Sequence, residues 1–264
     1  MNKPTPYVDL NEVLWELVRS MQEILGGQLA GFYLQGSFAV GDFDEHSDVD
    51  FIAVIEDELT DEQVQALDAM HDRIYGMAIP WAQHLEGSYF PKALLPDATG
   101  KDLWFLDHGS RSLVRDKHCN TLVVRWCVRE KGIALVGPEP TTLIDPVAVD
   151  DLRAEIWETM QEWGQEILTN TEHFNNRFYQ AFIVLSYCRM LHSLHVGRVD
   201  SKRAGAAWAK ATLDPRWAGL IDRTWAGRPN PAVSVRTRAD AADFAAMLDF
   251  VRMAMAEGRR VMEG

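Results

Sequence analysis

The chain has 264 residues, 47% of them hydrophobic, which suffices for a sizeable core and lies near the length at which one core gives way to two domains. Its 39 acidic and 26 basic residues leave a formal charge of −13, a surface that repels nucleic acid and attracts cations. No apolar run approaches the length of a membrane span, Met1-Asn2-Lys3-Pro4-Thr5-Pro6 lacks a signal-peptide core, and Cys119, Cys127 and Cys188 are widely spaced without metal-type pairing. The expectation is a cytoplasmic protein with reduced cysteines and no membrane or nucleic-acid partner.

In chain order, Asp9 is placed to cap a helix running to about Leu25, with Val13, Leu14, Leu17, Val18, Met21 and Leu25 on one face. The apolar run Ala30-Gly31-Phe32-Tyr33-Leu34 reads as a strand, Gly36-Ser37 as a tight turn opening a short helix, and Asp48 through Ile55 as a second strand. Thr60 or Asp61 starts a helix through about Tyr75, with Glu62 and Gln63 in a capping pattern. Trp81 to Phe90 reads as a third strand, 119–131 as a helix, and 133–136 as a short strand ended by Gly137-Pro138. The proline-rich stretch to Pro146 marks a boundary between expected domains 1–145 and 146–264. Beyond it the pattern is helical, at about 149–168, 174–196, 201–212, 215–226 and 237–261. Within 149–168, the acids Asp151, Glu155, Glu158, Glu162 and Glu166 read as the solvated face of a helix that turns Leu152, Ile156, Met160 and Ile167 inward.

Residues 36–50 carry the chemistry. Asp48 and Asp50 stand at i and i+2 of a strand, so both carboxylates point to one face, separated by a buried Val49. Like charges so close require a cation between them, and hard divalent ions such as Mg2+ take carboxylate oxygens and share them with substrate phosphates. Gly36 permits a tight backbone path, and Ser37 opens a short helix whose free N–H groups attract phosphate. A phosphate cradle beside a divalent-metal pair is what nucleotidyl transfer needs.

The Gly-Ser-(ten residues)-Asp-Val-Asp pattern of Gly36 to Asp50 resembles that of the nucleotidyltransferase superfamily, which includes DNA polymerase beta and the aminoglycoside nucleotidyltransferases. Tyr187 through Ala209 is similar to the "Gly-Lys-x-x-x-Lys" and "Ala-x-x-Trp-Ala" stretch in the C-terminal helical domain of streptomycin/spectinomycin adenylyltransferases, and Ile133 to Pro138 resembles the end of their catalytic domain. The resemblance implies an α+β fold: a polymerase-beta-like nucleotidyltransferase domain, with a mixed sheet and flanking helices, followed by an all-α helical bundle. It also implies AMP transfer from ATP to a hydroxyl of an aminoglycoside-type antibiotic, in a cleft that the helical domain closes. The acidic charge suits such a cationic, hydroxylated small molecule, and the protein is expected to be a monomer.

Residue by residue, the resemblance assigns two Mg2+ ions to Asp48, Asp50 and Glu86. Leu85-Glu86 matches the family's Leu-Glu pair on the third strand, where the Glu is the catalytic base. His84 would share the Glu86 face as a partner or remain structural. Gly36, Ser37, Lys202 and Arg198 would bind the ATP triphosphate, Arg198 standing where the family often has its first Lys. The acceptor site is expected from Glu172, Asn176 and Tyr179, with Asp102, Trp104, Asp107 and His108 of a 99–111 loop as the opposite wall. Trp208 is expected in the helical core, and His192 and His195 to be structural. Two other readings stay open: a nucleotide-binding or antitoxin-like relative without small-molecule turnover, and a nucleotidyltransferase that modifies a protein.

Overall fold

A computed structural model describes residues 3–45, 47–96, 100–228 and 235–264. The chain divides after Val147 into two compact units. The first holds a mixed sheet of, among the described residues, six strands: β1 (Leu29–Leu34), β2 (Val49–Ile55), β3 (Leu85–Pro91), β4 (Leu103–Leu106), β5 (Val114–Asp116) and β6 (Ile133–Val136), in the order β5-β4-β3-β2-β1-β6. All neighbours run antiparallel except β2 and β3, which are parallel and in register.

Strand alternation gives the sheet two apolar faces. Phe32, Leu34, Phe51, Ala53, Ile55 and Tyr89 pack with helices α1 (Val8–Leu25) and α3 (Asp61–Tyr75). Tyr33, Ile52, Val54 and Phe90 face the other way, toward Val128 of α4 (Leu122–Lys131). The apolar face expected of α1 is buried along its length. Its start differs: Tyr7 is the cap, and Asp9 sits in the first turn, its carboxylate accepting the Leu10 N–H at 3.0 Å. The α3 start is the expected capping box, in which Thr60 Oγ1 accepts from the Gln63 N–H and Gln63 Oε1 from the Thr60 N–H.

Three boundaries are corrected. Pro80–Gln83 is a 3-10 turn rather than strand, because Pro80 starts a turn that drives Trp81 into the α1 side of the core. Residues 119–121 precede α4, whose cap is Thr121. Within the expected 99–111 loop, Leu103–Leu106 is strand β4.

His71 of α3 is buried, with Nε2 2.7 Å from the Tyr89 hydroxyl, and burial pushes its pKa down from 6.5 to about 3. The unfolded chain therefore binds the proton first, and stability falls as pH drops below about 6.5. Chemical denaturation near pH 7 and near pH 5 should show the wild type losing about 2 kcal/mol more than His71→Gln over that interval.

The second unit is helical: α5 (Val149–Thr169), α6 (Arg177–Val196), α7 (Lys202–Thr212), α8 (Ala218–Ala226) and α9 (Ala241–Glu263). α6 is buried on nearly every side, packing against α5, α7, α8 and α9, as a helix apolar all round must. Tyr187 places its hydroxyl on the Met160 carbonyl at 2.8 Å, fixing α6 to α5. Gly205 lets α7 approach the α6 backbone at Arg189 so closely that a Cβ there would collide with it. The inward Leu152, Ile156, Met160 and Ile167 of α5 are buried as expected. The starts of α6 and α9 fall later than the periodicity suggests, since Asn176 and Asp240 provide the caps. The 215–226 segment opens with a 3-10 turn, Pro215–Trp217, before α8. No described helix is long and apolar enough to cross a membrane.

Candidate active site

The candidate site is built at the start of β2 and β3. After β1, the Gln35 N–H donates to the Asp50 carbonyl at 2.9 Å, and the chain turns into the one-turn helix α2 (Gly36–Val40). Gly36 adopts φ +59°, and a Cβ there would overlap the Asp50 carboxylate. The positive φ calls for glycine, and the overlap shows the carboxylate lying directly against the turn's backbone. The Ser37 hydroxyl is buried with no hydrogen-bond partner among the described residues. Gly41, in the left-handed region at φ +72°, closes α2. Phe38 stacks on Phe43 with ring centres 4.6 Å apart and meets Trp81 edge-on at 5.9 Å, so aromatic packing holds the segment that delivers the aspartates.

β2 begins at Val49, so Asp48 lies one residue before the strand rather than on it; the Val49 N–H donates to the His84 carbonyl at 2.8 Å. Val49 is buried as expected. Asp50 and Glu86 are register partners on parallel neighbouring strands, so their carboxylates share one face. That face also bears Ser88 and, across β3–β4, Phe105. The Cys119 thiol sits beside them: burial, reinforced by the negative charges of Glu86, Asp50 and Asp116, pushes it up to about 12. Adjacent carboxylates with oxygen donors alone, one of them pressed against a phosphate-type turn, fit a hard divalent cation such as Mg2+.

Histidines surround these acids. His108 Nε2 lies 3.2 Å from Asp48 Oδ1 and 3.0 Å from His84 Nδ1. His118 Nε2 lies 3.7 Å from Glu86 Oε1, and its backbone N–H donates to Asp116 Oδ1 at 2.6 Å. His84 precedes β3 instead of standing on it with Glu86. Beside His118, an open depression of about 210 Å³ is lined by Phe105, Asp107, Val114, Asp116 and His118. Asp107 is thus brought to this side of the sheet. Trp104 is not: paired with Tyr89, it faces the α1 side of the core, with the Arg115 guanidinium 5.4 Å from its ring centre. No pattern in the sequence points to Asp116 or His118, because the chain reaches them through β5, a three-residue strand with every side chain exposed.

The remaining candidates lie in the helical unit. Lys202 is the first residue of α7, capped by Ser201, with Nζ 4.4 Å above the Phe182 ring. Arg198 bonds Asp200 through Nε at 3.1 Å. Asn176 caps α6, its Oδ1 accepting the Tyr179 N–H at 2.9 Å, and Tyr179 packs among His173, Phe174 and Phe178. Glu172 faces Arg238 at 3.4 Å, both exposed. Trp208 is half-buried rather than a full core residue, with the His192 and His195 rings 5.5 and 4.9 Å from its own.

Comparisons with known proteins bear on both units. Residues 14–86 match the family model for a nucleotidyltransferase domain, and residues 142–252 that for the C-terminal domain of aminoglycoside adenylyltransferase. The chain is 23% identical over 226 residues to an "Aminoglycoside (3'') (9) adenylyltransferase" of Shigella flexneri, covering 81% of this chain and 83% of that protein. A protein of the same name from Klebsiella pneumoniae is 23% identical over 221 residues, with 79% and 81% covered. Among solved structures, the spectinomycin adenyltransferase AAD(9) from Enterococcus faecialis, determined with ATP and spectinomycin, superposes with a TM-score of 0.69 at 13% identity, covering 94% of this chain and 98% of that one.

Proposed function

We propose that this chain is an aminoglycoside adenylyltransferase that transfers AMP from ATP to a hydroxyl of an aminoglycoside-type antibiotic and releases pyrophosphate, a reading supported by its two domain matches and its curated relatives. The observation that carries the site assignment is the in-register pairing of Asp50 with Glu86, with the Asp50 carboxylate against Gly36. Asp48, Asp50 and Glu86 would hold Mg2+, whose positive charge would offset the negative charge of the triphosphate and favour loss of the acceptor hydroxyl proton. The backbone at Gly36 and Ser37 orients the phosphates. Glu86 accepts the hydroxyl proton as that oxygen attacks the α-phosphorus in line. Lys202, with Arg198, balances the charge of the departing pyrophosphate. Asp107, with Glu172, Asn176 and Tyr179 of the helical unit, are the proposed acceptor contacts, and Trp104, which faces the opposite side of the sheet, is set aside.

Pyrophosphate release that requires Mg-ATP and an aminoglycoside or spectinomycin together tests this reading. Release with no small-molecule acceptor in the panel would count against it. A charge-assisted contact to phosphate contributes about 1.5–3 kcal/mol, so Lys202→Met should raise KM for ATP roughly tenfold to a hundredfold in steady-state kinetics. An unchanged KM would remove Lys202 from the nucleotide site.

A further inference from the structure

Among the described residues, two groups of metal-ligating side chains lie at the Asp48–Glu86 end of the sheet. One joins Glu86, His118 and the buried Cys119, where His118 Nε2 stands 3.7 Å from Glu86 Oε1 and Glu86 already belongs to the carboxylate set. The other joins Asp48, His84 and His108, whose ligand atoms lie within 4.8 Å of one another.

In this second set, His108 Nε2 faces two partners at once, His84 Nδ1 at 3.0 Å and Asp48 Oδ1 at 3.2 Å. That nitrogen carries either one hydrogen or one lone pair. With a hydrogen it serves one partner fully; with a lone pair it confronts the negative carboxylate. A cation among the three atoms satisfies all of them. The two approaches to His108 also suit one, since ligands about 2.0–2.1 Å from a tetrahedral ion stand roughly 3.3 Å apart. The ligands are held by separate elements. His84 ends the 3-10 turn before β3, with its ring against Trp81 at 6.4 Å, and its carbonyl takes the Val49 N–H. His108 lies between β4 and β5, its ring stacked on that of His84 with centres 5.3 Å apart. Asp48 is 48% exposed, which leaves room for water or a substrate group to complete the shell.

We propose that Asp48, His84 and His108 form a site for one borderline divalent transition ion, of the Zn2+ or Co2+ class. Imidazole nitrogen favours such ions over Mg2+, which prefers oxygen alone. The site is therefore chemically distinct from the carboxylate set that includes Asp50 and Glu86, and meets it at Asp48.

The test is titration of chelator-treated full-length protein with Co2+ in the absence of nucleotide, followed by visible absorption. One equivalent should develop the d–d bands of a low-coordinate nitrogen–oxygen site, and Zn2+ should bleach them. His84→Gln and His108→Gln, on different elements, should each weaken binding at least about tenfold while far-UV circular dichroism is unchanged. His118→Gln, from the other group, should leave binding intact. Absence of a Co2+ spectrum, a spectrum indifferent to both histidine variants, or equal loss in His118→Gln would overturn the proposal. Because the readout is the bound metal, the result does not depend on whether the chain adenylates any acceptor.

Discussion

Asp50→Asn is expected to lower kcat for AMP transfer by about a thousandfold or more while leaving the protein as stable as the wild type or slightly more so. The two directions have one cause. Asp50 and Glu86 are neighbours in register on parallel strands, and without a cation their charges repel. Neutralising one relieves that repulsion, so the melting temperature measured in chelator should hold or rise. In the presence of Mg-ATP the same change removes an anionic oxygen from the cation site. Metal stabilisation of developing charge amounts to several kcal/mol, and about 4 kcal/mol corresponds to a thousandfold in rate. Stabilisation of the fold by added Mg2+ should shrink with it. Near-normal turnover, or a variant that simply unfolds, would contradict the placement of Asp50.

Glu86→Gln is the second large effect, with kcat reduced about a hundredfold to ten-thousandfold, the range for loss of a positioned general base. Glutamine preserves the shape of a side chain that is only 18% exposed and flanked on its strand by the buried Leu85 and Gly87. The fold should therefore survive. The discriminating readout is the split between steps: Mg-ATP binding, measured by calorimetry, should weaken far less than turnover falls. A variant in which ATP affinity and kcat decline together would make Glu86 a nucleotide ligand rather than the base.

Much of this site was legible in the sequence because its core is local. Gly36, Ser37, Asp48 and Asp50 lie within fifteen residues, and a turn, a one-turn helix and a strand start bring them together without distant help. The α3 cap, the buried face of α1 and the inward face of α5 were legible for the same reason, since period and capping chemistry act over a few residues. What was not legible depends on chain that returns from elsewhere. His108, expected in a loop wall for the acceptor, and His118, not expected at the site, reach the acids only because β4 and β5 add to the far side of β3, and neither strand has enough alternation to announce itself. Trp104 looked like a stacking wall because loop and strand cannot be told apart over four apolar residues; once β4 forms, its alternation sends Trp104 to the opposite face from Phe105. Trp81 reads as the first residue of the third strand in the sequence, yet Pro80 commits the chain to a turn first.

The central claim, AMP transfer to a small cationic acceptor, is tested most directly by mass spectrometry of the acceptor after incubation with Mg-ATP, across a panel of aminoglycosides and spectinomycin. The expected result is one drug carrying a single added AMP, formed by the wild type and not by Glu86→Gln. Unmodified drugs throughout the panel, from protein that still binds ATP, would contradict the claim and turn the search toward a protein acceptor.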